Sequence, residues 1–248
     1  MTMHRIDGQH VGGYLTGGDP ATWCPHLWQW LVRRHRIRSV LDIGCGEGHS
    51  TRFFQQLGCR VVGLDGSPRA IRDTQVPGCV RLHDFAACPF VPDRPFDLIW
   101  CCEFVEHVDE AHLTNVLRTF SSAGRMIAMT HAFPGQPGHH HVNCRRNPYW
   151  IRHVEQAGFT CLVDDTRAAR TVTFADYPSI NHFARSGLLF VRSGRSTTDQ
   201  LARPGFALRA QFKSWQIHLG HRLSAAYRRQ MRRRRAYHRT RREQRQAA

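Results

Sequence analysis

The chain has 248 residues, 41% of them apolar, which suffices for one domain with a full core. Its formal net charge of +16 is uneven: residues 1–199 hold 21 basic and 18 acidic side chains, residues 200–248 hold 14 basic and one acidic. There is no apolar run of the roughly 18 residues a membrane span needs, no apolar signal segment and no CxxC pair among the nine cysteines, so the composition argues for a cytoplasmic protein with mostly buried thiols rather than a membrane, disulfide-framework or zinc-finger protein.

Residues 1–36 read as a helical lead-in or lid. Trp23-Cys24-Pro25-His26-Leu27-Trp28-Gln29-Trp30-Leu31 predicts a short helix opening near Pro25, and its tryptophans suit either core or pocket lid. Ser39-Val40-Leu41-Asp42-Ile43 reads as a buried strand, Gly44 to Gly48 as a tight turn, and 50–57 as a helix. A strand at 60–65, a short helix at 68–74 and strands at 80–83 and 96–101 follow. Next come a helix at 110–120, a strand at 125–130 and a helix at 147–157 closed by Gly158. Two late strands are expected at 159–164 and 187–192. This alternation predicts an α/β fold over residues 37–192, a Rossmann-like three-layer sandwich with a seven-stranded, mostly parallel sheet. Residues 193–227 read as a linker and a C-terminal helix, with Phe212, Trp215, Leu219 and Leu223 at helical spacing. The arginine-rich stretch 228–248 has little apolar surface to bury. It is expected to be disordered unless RNA or another polyanion, anionic lipid or an acidic protein orders it.

The turn Asp42-Ile43-Gly44-Cys45-Gly46-Glu47-Gly48 lies between a strand and a helix, where glycines let a ligand approach the backbone. Alone it would also suit a dinucleotide. Asp65, closing the second strand, suits a ribose diol as a two-oxygen acceptor. Asp84 and Phe85 suit an adenine, the carboxylate accepting from its amine and the ring packing on its face; Asp84 equally suits a turn or cap. With Val62-Gly63-Leu64-Asp65-Gly66-Ser67, His83-Asp84-Phe85 and Phe96-Asp97-Leu98-Ile99-Trp100, these residues resemble the class I S-adenosylmethionine-dependent methyltransferases over residues 37–192. The resemblance implies S-adenosyl-L-methionine as cofactor. It places Asp42, Gly44 and Gly46 around the methionine portion, Asp65 on the ribose, and Asp84 with Phe85 on the adenine.

Glu103, Glu106 and His107 stand at offsets of three and four, which in a helical turn puts them on one face. Two carboxylates and an imidazole gathered there repel unless protonated or bound to a cation. A fourth ligand is available from His139, His140 or His141, and less readily from His131, all in a glycine- and proline-rich loop. Glu-x-x-Glu-His with a later histidine resembles two metal-assisted branches, the small-RNA terminal-ribose 2′-O-methyltransferases and the polyprenyl-catechol O-methyltransferases. That resemblance implies Mg2+ or Mn2+ on Glu103, Glu106, His107 and His141, with His107, His131 and His140 as the catalytic candidates. A metal-free substrate contact and a structural role remain open for these residues. The expected reaction is O-methylation of a vicinal-diol small molecule or glycan. RNA ribose methylation, with the tail as RNA contact, and a non-enzymatic cofactor-binding module are the alternatives. Asn143, Arg146, Tyr149 and Trp150 are further candidates for substrate contact.

Overall fold

The structure is a computed structural model that describes residues 15–176 and 181–194, together with Gln211, Lys213, Ser214 and Ile217. Seven strands form one sheet: β1 (Ser39–Ile43), β2 (Arg60–Asp65), β3 (Val80–Leu82), β4 (Phe96–Cys101), β5 (Gly124–Met129), β6 (Phe159–Cys161) and β7 (Leu188–Arg192). Their order is β3-β2-β1-β4-β5-β7-β6, and only β7 runs antiparallel to its neighbours. The expected α/β Rossmann-like fold with a mostly parallel seven-stranded sheet is therefore observed.

Every residue of β1 is buried, as a strand covered on both faces requires. Alternation along the strands sorts the core into two layers. Leu41, Ile43, Ile99, Ile127 and Phe190 pack on one face, and Val40, Leu98, Trp100 and Leu189 on the other. The second layer is closed by α1 (Pro25–His35), whose Leu27, Trp28 and Leu31 are buried at helical spacing. Trp100 stacks on Phe183 of α7 (His182–Ser186) at 5.5 Å and meets Trp28 edge-on at 5.8 Å. Of the lead-in tryptophans, Trp28 is thus core, whereas Trp23 is 38% exposed.

The chain turns to opposite sides of the sheet after β1 and β4. Its carboxyl edge opens between these neighbouring strands, the place where open α/β sheets receive ligands. α2 (His49–Gln56) and α3 (Pro68–Arg72) follow β1 and β2, while α4 (Leu113–Ala123) and α5 (Asn147–Gln156) flank β5 in sequence.

Several elements differ from the sequence expectation. The strand expected at 159–164 stops at Cys161, because α6 (Val163–Val172) begins there with Asp164 and Asp165 in its first turn, where carboxylates favour a helix start. Neither α6 nor α7 was anticipated; α7 is capped by Asn181, whose side chain accepts from the Ala184 N–H. The helix expected from 110 starts at Leu113, after a 3-10 turn at Glu110–His112 capped by Asp109. The C-terminal helix expected from 212 is helical at the four described positions, Ile217 is fully buried in the first layer, and Lys213 pairs with Glu155. The remainder of that helix and the stretch 228–248 lie outside the described residues. No helix among the described residues is long and apolar enough to cross a membrane.

Ile217 ties this segment to the main core. Ile217→Ala should lower unfolding free energy by about 2–4 kcal/mol, read by urea denaturation, if the segment is part of the cooperative unit.

Candidate active site

A cleft of about 730 Å3 lies at the carboxyl edge of the sheet, lined by residues from the glycine turn, the ends of β2 and β4, the 136–142 loop and the lead-in. Gly44 and Gly46 both adopt left-handed backbone, with φ 72° and 54°. A Cβ at Gly44 would lie 2.8 Å from the Phe104 ring, while one at Gly46 would meet nothing within 4 Å. Gly44 therefore permits packing, and Gly46 leaves its backbone open to a ligand.

Asp42 is buried and accepts hydrogen bonds from the Ser50 and Thr51 hydroxyls at 2.6 and 2.7 Å. Burial raises its carboxyl to about 6, against the lowering effect of those hydroxyls. Asp65 accepts from the N–H groups of Gly46 and Ser67, both at 2.8 Å, and burial raises it too. Phe85 is buried on the cleft wall, edge-on to Phe104 at 5.3 Å. The structure does not bring Asp84 to the cleft lining: its carboxylate accepts from Ala86 N–H at 2.8 Å in a local turn, and His83 and Ala86 line the wall instead.

The segment after β4 is not a helical turn bearing three ligands on one face. Glu103 adopts left-handed backbone, φ 50°, and only Val105–His107 form a 3-10 turn. The ligand atoms of Glu106, His107 and His141 lie within 4.8 Å of one another, whereas Glu103 stands outside this group. Both carboxylate oxygens of Glu106 are buried, with the Glu103 carboxyl and the Glu106 N–H close to them and no cationic partner among the described residues. Burial, and next the charge of Glu103, push its carboxyl well above the usual range.

His107 Nδ1 lies 3.2 Å from the His140 carbonyl, and His141 Nδ1 lies 3.2 Å from the Gln136 carbonyl. A carbonyl only accepts, so each Nδ1 carries the proton and each Nε2 is left with a lone pair. Burial lowers the His107 imidazole and so keeps it neutral. His140 also has left-handed backbone, φ 55°, and its Nδ1 is buried with no partner. His139 is exposed. His131 is fully buried, does not line the cleft, and sits 2.7 Å from Asn147; burial takes it down to about 4. That burial separates it from the other histidines of the loop.

Glu103 belongs instead to a chain of paired groups. Its Oε1 accepts from the Thr130 hydroxyl at 2.8 Å, and its Oε2 lies 3.0 Å from His182 Nδ1. His182 Nε2 lies 2.8 Å from Asp19. Burial alone would lower His182, but the hydrogen bonds to Asp19 and Glu103 override it and raise the imidazole to about 9. Burial would raise Glu103, yet His182 and Thr130 hold it below the usual carboxylate range. Asp19 and His182 both line the cleft, and neither was singled out from the sequence. The one local signal was Asn181 as a helix cap, which says nothing of the side chain beside it.

Because the His182 value is raised from 6.5, its stabilising contribution is complete below pH 6.5 and is lost as pH rises through about 9. His182→Gln should abolish this loss. Denaturation across pH 6–10 should show the stability gap between wild type and variant narrowing by on the order of 2 kcal/mol.

Comparison with known proteins agrees with this geometry. The family described as “Methyltransferase domain” matches residues 20–211. The ubiquinone biosynthesis O-methyltransferase of Leptothrix cholodnii is 32% identical over 79 residues, covering 29% of this chain and 34% of that protein. The demethylmenaquinone methyltransferase of Tropheryma whipplei (strain Twist) is 30% identical over 104 residues, covering 38% and 42%. The chain thus spans well under half the length of these curated relatives. A TehB-like SAM-dependent methyltransferase from Corynebacterium glutamicum shares the fold at a TM-score of 0.50 and 15% identity, over 68% of this chain and 88% of that one. With the family match extending over more than three quarters of its length and the strand order and glycine turn in place, the chain belongs to the methyltransferase domain family and has the class I SAM-dependent fold.

Proposed function

We propose that this protein transfers the methyl group of S-adenosyl-L-methionine to an oxygen of a small vicinal-diol acceptor, with a divalent ion held by Glu106, His107 and His141. The observation that carries the metal is the buried carboxylate of Glu106, which has no cationic partner among the described residues and lies beside two imidazoles turned by backbone carbonyls. A buried charge without a partner is costly, and a cation is the group that this donor set fits. Histidine ligands oriented through the other ring nitrogen are the usual second shell of such sites. Mixed nitrogen and oxygen donors suit Mn2+ better than Mg2+, which prefers oxygen.

Bound in the cleft, the cofactor supplies an electrophilic methyl on a sulfonium and the ion supplies positive charge that acidifies a hydroxyl. The chain's own residues do the rest. Gly46 gives backbone approach, Asp65 accepts from the ribose, and Phe85 packs against the adenine. Asp42 braces the glycine turn through Ser50 and Thr51. His140 Nδ1, buried and without a partner, takes the acceptor's proton.

The wall chemistry favours a small acceptor over RNA. Among the described residues no arginine or lysine lines the cleft, whereas Asp19, Asp42, Glu47, Asp65, Glu103 and Asp109 do. A phosphate backbone is held mainly by basic side chains.

The decisive experiment transfers labelled methyl from S-adenosyl-L-methionine to fractionated metabolite, glycan and RNA pools, using chelator-stripped protein with and without Mn2+. Labelling of small polyhydroxylated molecules only when Mn2+ is present is the expected result. Full turnover after metal removal would sink the metal, and label confined to RNA would sink the acceptor. Two variants isolate the ion. Glu106→Gln should weaken Mn2+ binding at least about tenfold by calorimetry. Gly138→Ala should do the same, because a Cβ there would overlap the His141 ring and displace it.

A further inference from the structure

We propose that residues 15–23 form a strap that closes over the bound cofactor, clamped by Glu47 at one end and by the Asp19–His182 pair at the other. The inference rests on reading the cleft as the S-adenosyl-L-methionine site. Leu15, Asp19 and Trp23 line the same cleft as Asp42 and Asp65, so the strap faces whatever fills it.

What holds the strap ahead of Trp23 is polar. The Gly17 N–H donates to Glu47 Oε1 at 2.8 Å, Arg69 donates to the Thr16 hydroxyl at 3.1 Å, and Asp19 accepts from His182 at 2.8 Å. These ties reach three separate parts of the molecule: the glycine turn, α3 and α7. By contrast, the one regular turn of the strap, Pro20–Thr22, has no buried residue. Apolar anchoring begins at Trp23, whose ring meets Trp28 and Phe53 edge-on at 5.0 and 5.5 Å, and continues at Cys24 and Leu27, both buried where α1 starts. The strap is thus hinged on α1 and fastened at its far side by hydrogen bonds and one ion pair. Segments with few buried apolar contacts open at low free energy.

The sequence is shaped for this path. Gly17 and Gly18 both have left-handed backbone, φ 82° and 75°, which reverses the chain sharply. A Cβ on Gly18 would lie 2.9 Å from His49 Cδ2, so the strap passes tight against the start of α2. Glu47, 6% exposed, points its carboxylate at the strap rather than at water. A ligand in the cleft adds contacts to the inner face of the closed strap, so ligand binding and closure favour each other. His182 carries Asp19 on one nitrogen and Glu103 on the other, which links the clamp to the end of the cleft where β4 finishes.

The test uses S-adenosylhomocysteine with stopped-flow tryptophan fluorescence, Trp23 being on the strap. Asp19→Asn and His182→Gln should each raise the dissociation rate about tenfold, the effect of losing one charge-assisted hydrogen bond, with a smaller change in association. The double variant should release the ligand no faster than the faster single variant, because both remove the same contact. In the wild-type chain, which needs no substitution to fold, amide exchange across 15–23 should slow when S-adenosylhomocysteine is added. Unchanged release from Asp19→Asn, additive effects in the double variant, or exchange across 15–23 indifferent to the ligand would overturn the clamp. Failure of the wild-type chain to bind S-adenosylhomocysteine at all would overturn the cofactor reading beneath it.

Discussion

Two carboxylates, Glu103 and Glu106, are held out of water three residues apart at the end of β4, and the site is organised around their repulsion. The Glu103 side chain is 15% exposed and Glu106 is fully buried. Like charges in a poorly solvated place need compensation by a proton, a cation or a counter-charge. Glu103 receives its counter-charge from His182 and a hydroxyl from Thr130. Glu106 receives neither among the described residues, and burial with the neighbouring Glu103 charge raises its carboxyl. A divalent ion would bind the ionised carboxylate, so metal affinity would rise with Glu106 ionisation. The main chain of Glu106 also positions the histidine loop, its carbonyl accepting from Val142 and Asn143 N–H, each at 2.9 Å. One residue thus brings the imidazoles near and supplies the uncompensated carboxylate they face.

Backbone strain falls at the same place. Three described non-glycine residues have left-handed backbone: Arg36, Glu103 and His140. Arg36 closes α1, where a left-handed cap is ordinary. The other two are at the site, and each such conformation costs on the order of 1 kcal/mol or more. Glu103 is held there by a reciprocal pair with Thr130, whose hydroxyl accepts from Glu103 N–H at 2.7 Å and donates to its carboxylate. The strained turn aims Glu103 toward α7 and leaves Glu106 to the loop. A helical turn, with its fixed 100° step, would have presented both to one ligand.

The difference between that turn and the helical one expected shows how far sequence carries. Strand and helix alternation, the glycine turn and the acidic end of β2 are patterns within a few residues, set by side-chain period and turn chemistry, and they were legible. The association of Glu106, His107 and His141 was legible in residue type, because carboxylate and imidazole clusters are chemically rare. Its partition was not. Glu103 goes to His182 because α7 passes beside the end of β4, and Asp19 joins from 163 residues away. No local spacing encodes a contact between three distant segments. For Asp84 and His131 residue type suggested chemistry, while a local turn and complete burial hold them off the cleft lining.

We read the acceptor from the distribution of charge rather than from its total. A net charge of +16 invites a nucleic-acid reading, yet residues 200–248 supply most of it. Among the described residues the cleft is walled by carboxylates, and His182 is already bonded to two of them. Such a wall attracts a sulfonium and a divalent ion, and low-dielectric walls strengthen that attraction. A phosphate-bearing acceptor would enter against this field with no arginine or lysine among the described residues to meet it. A neutral diol would enter without that penalty, and on the function proposed above its hydroxyls would meet the cation and His140.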